Sequence, residues 1–437
     1  CFNQNYLDKL LDLDGAGHGF NVAVTENALK WDAWEEQWIG SPDETRNAIE
    51  CLNDHHIETR GHTLIWPGWD HMPDDMQQNR TNLAYLTDRI NERIETMLTD
   101  ATIGKFITEW DVLNEITLVR DLEMAFSMSP EYQTGRELYA AILQGVTELK
   151  PNHLNYINDF VVFSGAGGLS ATVERYHSYI EEILATDGAK LDGIGFQSHI
   201  GMSPISIFKV EETLNDFYNR YTLRMKVTEY DINKQVAPKT QAAYMSDFLT
   251  IVFSHPGMDA FLMWGFWDGN HWLDNAPIFN QDWSIKPSGQ AFIDKVFEEW
   301  WTNEEENTSA DGTVTFRPFK GQHKISIEHN GNVEEHIVHT SESDTMVIQL
   351  GTTSTHFTDE APSFLIAPNP SPNGRLSILT DAAEMLHLDI YSIDGKLVRT
   401  YQKLSPQELI LTHLEPGSYF AKISSETKTT VARFVIQ

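Results

Sequence analysis

Ile107-Thr108-Glu109-Trp110-Asp111-Val112-Leu113-Asn114-Glu115 and Met225-Lys226-Val227-Thr228-Glu229-Tyr230-Asp231-Ile232 are two short strand-like runs, and 113 residues separate their glutamates Glu115 and Glu229. Side chains two apart on a strand share a face, so Asp111, Leu113 and Glu115 are in phase, as are Val227, Glu229 and Asp231. On strands of one parallel barrel, both glutamates would reach the C-terminal mouth, where such barrels collect their functional groups. A pair of carboxyls placed there, one protonated and one ionised, is what cleavage of a glycosidic bond requires.

Outward from these runs, residues 20–300 alternate β-type segments with amphipathic ones, the pattern of a parallel sheet with crossover helices. The expected strands are Phe20–Thr25, Glu58–Trp66, Phe106–Leu113, His153–Asn158, Gly193–His199, Arg224–Glu229 and Ala260–Phe266. Helices are expected over Leu83–Leu98, Glu131–Glu148, Thr172–Ala185 and Lys239–Phe253. The fold class is therefore α/β, seven βα repeats of a (β/α)8 TIM barrel, over residues 1–301. Thr302–Ala310 reads as a polar linker. Gly312–Phe319, His323–His329 and Met346–Leu350 suggest a small all-β module over 311–350, and Gly351–Ala361 a second linker. A further all-β domain is expected over 362–437, with Asp394-Gly395 as a hairpin turn.

The chain holds 437 residues, with 64 acidic against 31 basic side chains and a formal charge of −33. Nucleic acid and anionic lipid are therefore poor partners, whereas neutral polymers are acceptable. Seven acidic and seven basic residues fall in 362–437, so the acidity belongs to the rest and the tail is compositionally distinct. Two cysteines, Cys1 and Cys51, imply no disulfide framework. No apolar run approaches the length of a membrane span. His55-His56 and Asp12-Leu13-Asp14-Gly15 lack metal-site spacing, so neither metal nor cofactor is expected.

Trp110-Asp111-Val112-Leu113-Asn114-Glu115 and Val227-Thr228-Glu229-Tyr230-Asp231 resemble the catalytic motifs of glycoside hydrolase family 10, the endo-xylanases. Arg60-Gly61-His62-Thr63-Leu64-Ile65-Trp66, Gly193-Ile194-Gly195-Phe196-Gln197-Ser198-His199 and Glu26-Asn27-Ala28-Leu29-Lys30-Trp31 resemble its other strand-end motifs. The resemblance implies Glu115 as general acid/base and Glu229 as nucleophile, with a carboxyl separation of ~5–5.5 Å. It implies sugar contacts from Glu26, Asn27, Lys30, His62, Trp66 and Asn114. Gln197 would hold the acid side and His199 would orient Glu229. Trp264 and Trp272 would offer flat faces to pyranose rings. Since the Glu26–Trp31 segment follows the second strand in that family, strand one is expected upstream of Cys1. A first-position Cys is also the residue type of a bacterial lipid anchor. A barrel short of one strand exposes two sheet edges unless something replaces it.

One departure concerns specificity. The family continues after the third-strand Trp with His-Ser-Gln, whereas this chain reads Trp66-Pro67-Gly68-Trp69, expected to set a rigid ring and an aromatic at the cleft mouth. The tail, through Pro368-Asn369-Pro370, Ile390-Tyr391-Ser392-Ile393-Asp394-Gly395-Lys396 and Leu414-Glu415-Pro416-Gly417-Ser418-Tyr419, resembles the C-terminal sorting domain of type IX secretion in Bacteroidetes. The expectation is a secreted or cell-surface endo-β-1,4-xylanase, partnered by its polysaccharide and by secretion machinery. A hydrolase of another β-linked polysaccharide and a non-catalytic cell-surface glycan-binding protein are the competing readings.

Overall fold

Strand β1 (Val22–Val24) pairs in parallel with β2 (Glu58–Arg60), and single bridges from Gly61 to Trp110 and from Ile65 to Leu113 carry β2 onto β3 (Glu109–Asn114). Parallel pairing continues through β4 (Leu154–Asp159) and β5 (Gly193–Phe196) to β7 (Arg224–Ile232) and β8 (Met258–Met263). A short strand β6 (His199–Ile200) lies further along the β5 run and also pairs with β7. This computed structural model describes residues 3–163, 170–329, 331–340 and 348, then 364–367, 376–380, 386–392, 396–404, 409–411, 414, 416–424 and 429–436. It divides into two units, Cys1–Phe319 and Lys320–Gln437.

The crossovers are helical. Helix α1 (Gln4–Leu11) precedes β1, and α2 (Trp31–Glu36) and α3 (Pro42–Asp54) follow it. Ser41 and Glu44 form a reciprocal capping box at the start of α3, with Pro42 at its first turn. Helices α4 (Asp74–Gln78), α5 (Leu83–Thr99) and α6 (Ile103–Phe106) lead to β3, and α7 (Asp121–Ser127) and α8 (Glu137–Leu149) lead to β4. Then come α9 (Ser170–Leu184), α10 (Ile207–Tyr221), α11 (Pro238–Ser254) and α12 (Pro287–Ile293). Apolar residues at helical spacing, such as Leu86, Ile90, Ile94 and Met97 of α5, are buried against the barrel. The expected helix over 131–148 starts only at Glu137. Its carboxylate folds back to accept the backbone N–H groups of Gln133 and Thr134, which makes the preceding residues a turn.

Inside the barrel, polar and aromatic side chains need room that β5 provides by omission. A Cβ on Gly193 would fall 2.1 Å from the Tyr156 ring, and one on Gly195 would fall 2.3 Å from Asn158 Oδ1. The two glycines of the Gly193-x-Gly195 run thus let β4 side chains lean across β5. Among the described residues no strand pairs β1 with β8. The aromatic side chains on that side come from α1 and the run into β1. Tyr6 lies 4.5 Å from Phe266, and Phe20 lies 5.3 Å from Phe266 and 6.2 Å from Phe292. Leu7, Leu10 and Leu13 are buried, and the Phe20 N–H donates to the Leu10 carbonyl at 2.9 Å.

In the second unit, β9 (Gly321–His329) and β10 (Asn332–Thr340) form an antiparallel hairpin. Strands β11 (Phe364–Ala367), β12 (Leu376–Thr380) and β15 (Leu409–Leu411) form one sheet. Strands β13 (Leu386–Ser392), β14 (Leu397–Leu404), β16 (Gly417–Ser424) and β17 (Thr429–Ile436) form another, in the order β14-β13-β16-β17. Leu388, Ile390, Ala421 and Phe434 are buried.

Three sequence expectations need correction. Gly312–Phe319 forms no strand and belongs with the first unit. Cys51 is disulfide-bonded, which the cysteine count did not suggest. Trp69, expected at the cleft mouth, lines a cavity that none of the proposed sugar-contact residues lines. The expected Asp394-Gly395 turn, Pro368-Asn369-Pro370, the 351–361 linker, nearly all of Met346–Leu350 and the question of Cys1 lie outside the described residues.

The Gly195→Ala variant is expected to lose about 1–3 kcal/mol of unfolding free energy in urea, because the new methyl must displace Asn158. Unchanged stability would show that β5 tolerates a side chain there.

Candidate active site

The site begins with a buried ion pair beneath it. Arg60 at the end of β2 donates both terminal nitrogens to Asp111 on β3, and its Nε donates to Glu109 Oε1 at 2.7 Å. Lys226 on β7 reaches the other Glu109 oxygen at 2.5 Å. The guanidinium stands 5.2 Å from the Tyr156 ring centroid. Asp111 is held below the ordinary carboxylate range: burial opposes ionisation, and Arg60 outweighs it. Its Oδ2 also lies 2.9 Å from His62 Nδ1, which fixes that imidazole with the same nitrogen 3.9 Å from Glu229 Oε1.

Above this layer Glu229 is 4% exposed and has neighbours from β4, from β6 and, in His62, from the loop after β2. Asn158 Nδ2 donates to its Oε1 at 2.7 Å, and His199 Nε2 lies 3.1 Å from its Oε2. Thr228 Oγ1 donates to Asn158 Oδ1 at 2.7 Å, which settles which end of that amide faces the carboxylate. His199 Nδ1 lies 2.9 Å from Asp231 Oδ2. Burial opposes charge on His199, but the two carboxylates outweigh it and raise its pKa to about 10. Burial likewise opposes charge on Glu229, but His62 and the hydrogen bond from His199 pull its pKa below the ordinary value.

Glu115 is placed differently. It follows β3 with φ +57°, a left-handed conformation that costs a residue with a side chain about 1–3 kcal/mol. Its N–H donates to the Asn158 carbonyl at 2.8 Å, and its own carbonyl accepts from Val119 at 2.9 Å, so the turn is tied on both sides. Gln197 Nε2 donates to Glu115 Oε1 at 2.9 Å and to Asn114 Oδ1 at 3.3 Å. Asn158 Nδ2 donates to that same Asn114 oxygen at 3.1 Å. Three side-chain amides therefore connect the two carboxyls. Burial pushes Glu115 up to about 7; the bond from Gln197 works against this and the charge of Glu229 adds to it.

Lys30, Trp66, Trp264 and Trp272 form the surrounding wall. Lys30 Nζ donates to Asn27 Oδ1 at 2.6 Å and lies 5.1 Å from the Trp66 centroid and 5.7 Å from that of Trp264. Glu26 is raised in pKa by burial. The edge of His62 meets Trp264 at 5.1 Å. Trp272 is 57% exposed, with its Nε1 anchored on Asp231 Oδ2 at 2.7 Å. Trp267 instead stacks on Trp283 at 4.3 Å. The imidazole of His71 covers Trp66 at 3.5 Å, nearly parallel, so that indole does not offer both faces. Trp69 lines a separate cavity beside α7.

All twelve residues singled out from the sequence thus stand at the C-terminal ends of the strands or in the loops that follow. Reading by motif did not pick out Asn158, Asp231, Arg60, Asp111 or His71 as parts of the site. Asn158 and Asp231 had a signal: each is a polar residue next to the last position of its strand, and Asp231 is in phase with Glu229. His71 had none. Among the described residues no three His, Cys, Asp or Glu side chains are grouped to hold a metal ion.

A parallel barrel whose mouth holds two carboxyls of opposite proton affinity has the form of a glycoside hydrolase. The sequence signature of glycosyl hydrolase family 10 matches residues 3–295, and the chain belongs to that family. A secretion system C-terminal sorting domain matches residues 365–437. Anti-sigma-I factor RsgI6 of Acetivibrio thermocellus is 26% identical over 75% of this chain and 39% of its own length. Endo-1,4-beta-xylanase 1 of Arabidopsis thaliana is 26% identical over 75% of this chain and 33% of its own. The chain thus spans well under half of these relatives. Xylanase 10B of Thermotoga petrophila, solved with xylobiose, shares the fold with a TM-score of 0.56 at 22% identity, over 67% of this chain and 89% of that one.

The Arg60→Leu variant is expected to lower unfolding free energy by about 3–5 kcal/mol, because it leaves Asp111 buried without its guanidinium partner and with only His62 beside its carboxylate. Denaturant titration should show part of that loss recovered when Asp111→Leu is added.

Proposed function

We propose that the chain is a retaining endo-β-glycanase that cleaves β-1,4-xylan by double displacement. The observation that carries this reading is the split in proton affinity between two carboxyls joined by one amide network, Glu115 raised and Glu229 lowered. In the first step the Glu229 carboxylate attacks the anomeric carbon while Glu115 gives its proton to the departing glycosidic oxygen. In the second, Glu115 takes a proton from water, whose oxygen displaces Glu229 from the same carbon and regenerates both groups. His199 acts through Glu229: as an imidazolium it favours the ionised nucleophile. Asn114 would bond the sugar 2-hydroxyl and His62 the sugar bound before the cleavage point, Lys30, Asn27 and Glu26 the next sugar out, and Trp264 and Trp272 would carry apolar sugar faces.

Family membership and the xylanase relatives support xylan over another β-linked polysaccharide. The buried pair with its intact hydrogen-bond set argues against a purely glycan-binding role, since binding alone does not need one raised and one lowered carboxyl. We read residues 1–301 as the catalytic part, 311–350 as a small module of unassigned role, and 362–437 as the segment that directs export by type IX secretion to the cell surface or medium.

Glu229→Gln is expected to reduce release of reducing ends from soluble xylan by about 10⁴-fold. A variant retaining a tenth of the activity would end the nucleophile assignment. The pH profile of kcat/KM should fall as pH rises through about 7, where Glu115 loses its proton. On the acid side it should fall only below the ordinary carboxylate range, where Glu229 gains one. Glu115→Gln should remove the alkaline limb.

A further inference from the structure

A cavity of about 560 Å3 lies beside the proposed cleft, lined by Trp69, Arg80, Thr81, Leu83, Asp121, Met124, Ala125, Met128 and Ser129. Its walls come from the loop after β2, the start of α5 and helix α7 beyond β3. Trp69 is three residues past Trp66, whose ring is already engaged by His71 and Lys30. The next aromatic along this loop, half-buried against the core, lines the cavity. Its backbone is pinned, with Trp69 N–H donating to Asp121 Oδ2 at 2.9 Å and Leu122 N–H to the Pro67 carbonyl at 3.2 Å.

We propose that this cavity is a second glycan site, taking a segment of the β-1,4-xylan chain that lies outside the cleft. The inference rests on the xylan reading above. Trp69, Leu83 and the two methionines supply an apolar wall, while Thr81, Ser129, Arg80 and Asp121 supply donors and acceptors around it. A pyranose has that division, with apolar C–H faces and a hydroxyl edge. Arg80 is balanced by Asp121 within the lining, and the chain carries a charge of −33, so a neutral occupant fits better than an anionic one. The volume falls within the ~300–1,000 Å3 of small-molecule sites, which is concave and small for a protein partner. Because its loop also carries Trp66, a polymer engaged at both places gains from effective concentration, and a short oligosaccharide does not.

The test uses the full chain in the Glu229→Gln form, so that polymer is held uncleaved, and measures the Kd for soluble xylan and for xylotetraose. Trp69→Ala should weaken xylan binding about three- to tenfold and leave xylotetraose unchanged. Met128, 85% exposed at the rim, provides a variant that leaves the interior packing alone, and Met128→Glu should act in the same direction. In the cleavage-competent chain the same substitutions should lower kcat/KM on xylan and not on xylotetraose. Unchanged xylan affinity in both folded variants overturns the second site while leaving cleavage in the neighbouring cleft intact. A parent chain that neither binds nor cuts xylan overturns both readings.

Discussion

Beneath the mouth of the barrel, Arg60 and Asp111 form a buried pair on which the geometry above depends. Arg60 joins β2 to β3, and Glu109 extends the contact to Lys226 on β7. Asp111 then passes orientation upward through His62. Removing such charges from water is expensive, and the cost is offset only because each is met by several partners in fixed geometry. A wholly apolar interior would not hold an imidazole at one angle beside Glu229. The ionic layer gives the barrel a floor with direction.

The two carboxyls above that floor are held in unlike ways. Glu229 stands on a strand, enclosed by Asn158 and His199 from two other strands and by His62 from the loop after β2. Glu115 stands on a left-handed turn and receives its principal side-chain bond from Gln197. Burial acts on both in the same sense, so the divergence in proton affinity comes from His62 and His199 beside Glu229, while the Gln197 amide on Glu115 works against it. The donors of the two carboxyls, Gln197 and Asn158, meet on one acceptor, Asn114 Oδ1, which couples their orientations.

Much of this was legible in the sequence because strand ends carry both the fold signal and the chemistry. Alternation placed Glu115 and Glu229 at the same end of their strands, and the Gly193-x-Gly195-x-Gln197 run aimed Gln197 inward. What escaped were relations that no single strand encodes. Asn158 matters because it touches two other strands at once, and Arg60 because it meets a β3 carboxylate. Trp69 read as a cleft aromatic by proximity in sequence. The turn at Gly68 and the tie to Asp121 direct it to the neighbouring cavity.

Tyr6, Phe20, Phe266 and Phe292 meet ring to ring between α1, the run into β1 and the residues after β8. Such packing and the paired strands of the barrel answer differently to cold. Apolar burial weakens on cooling because its driving force near room temperature is entropic, and a backbone ladder is not held by that term. This aromatic cluster therefore has a thermal response of its own. Low temperature should loosen α1 from these rings before it parts the paired strands.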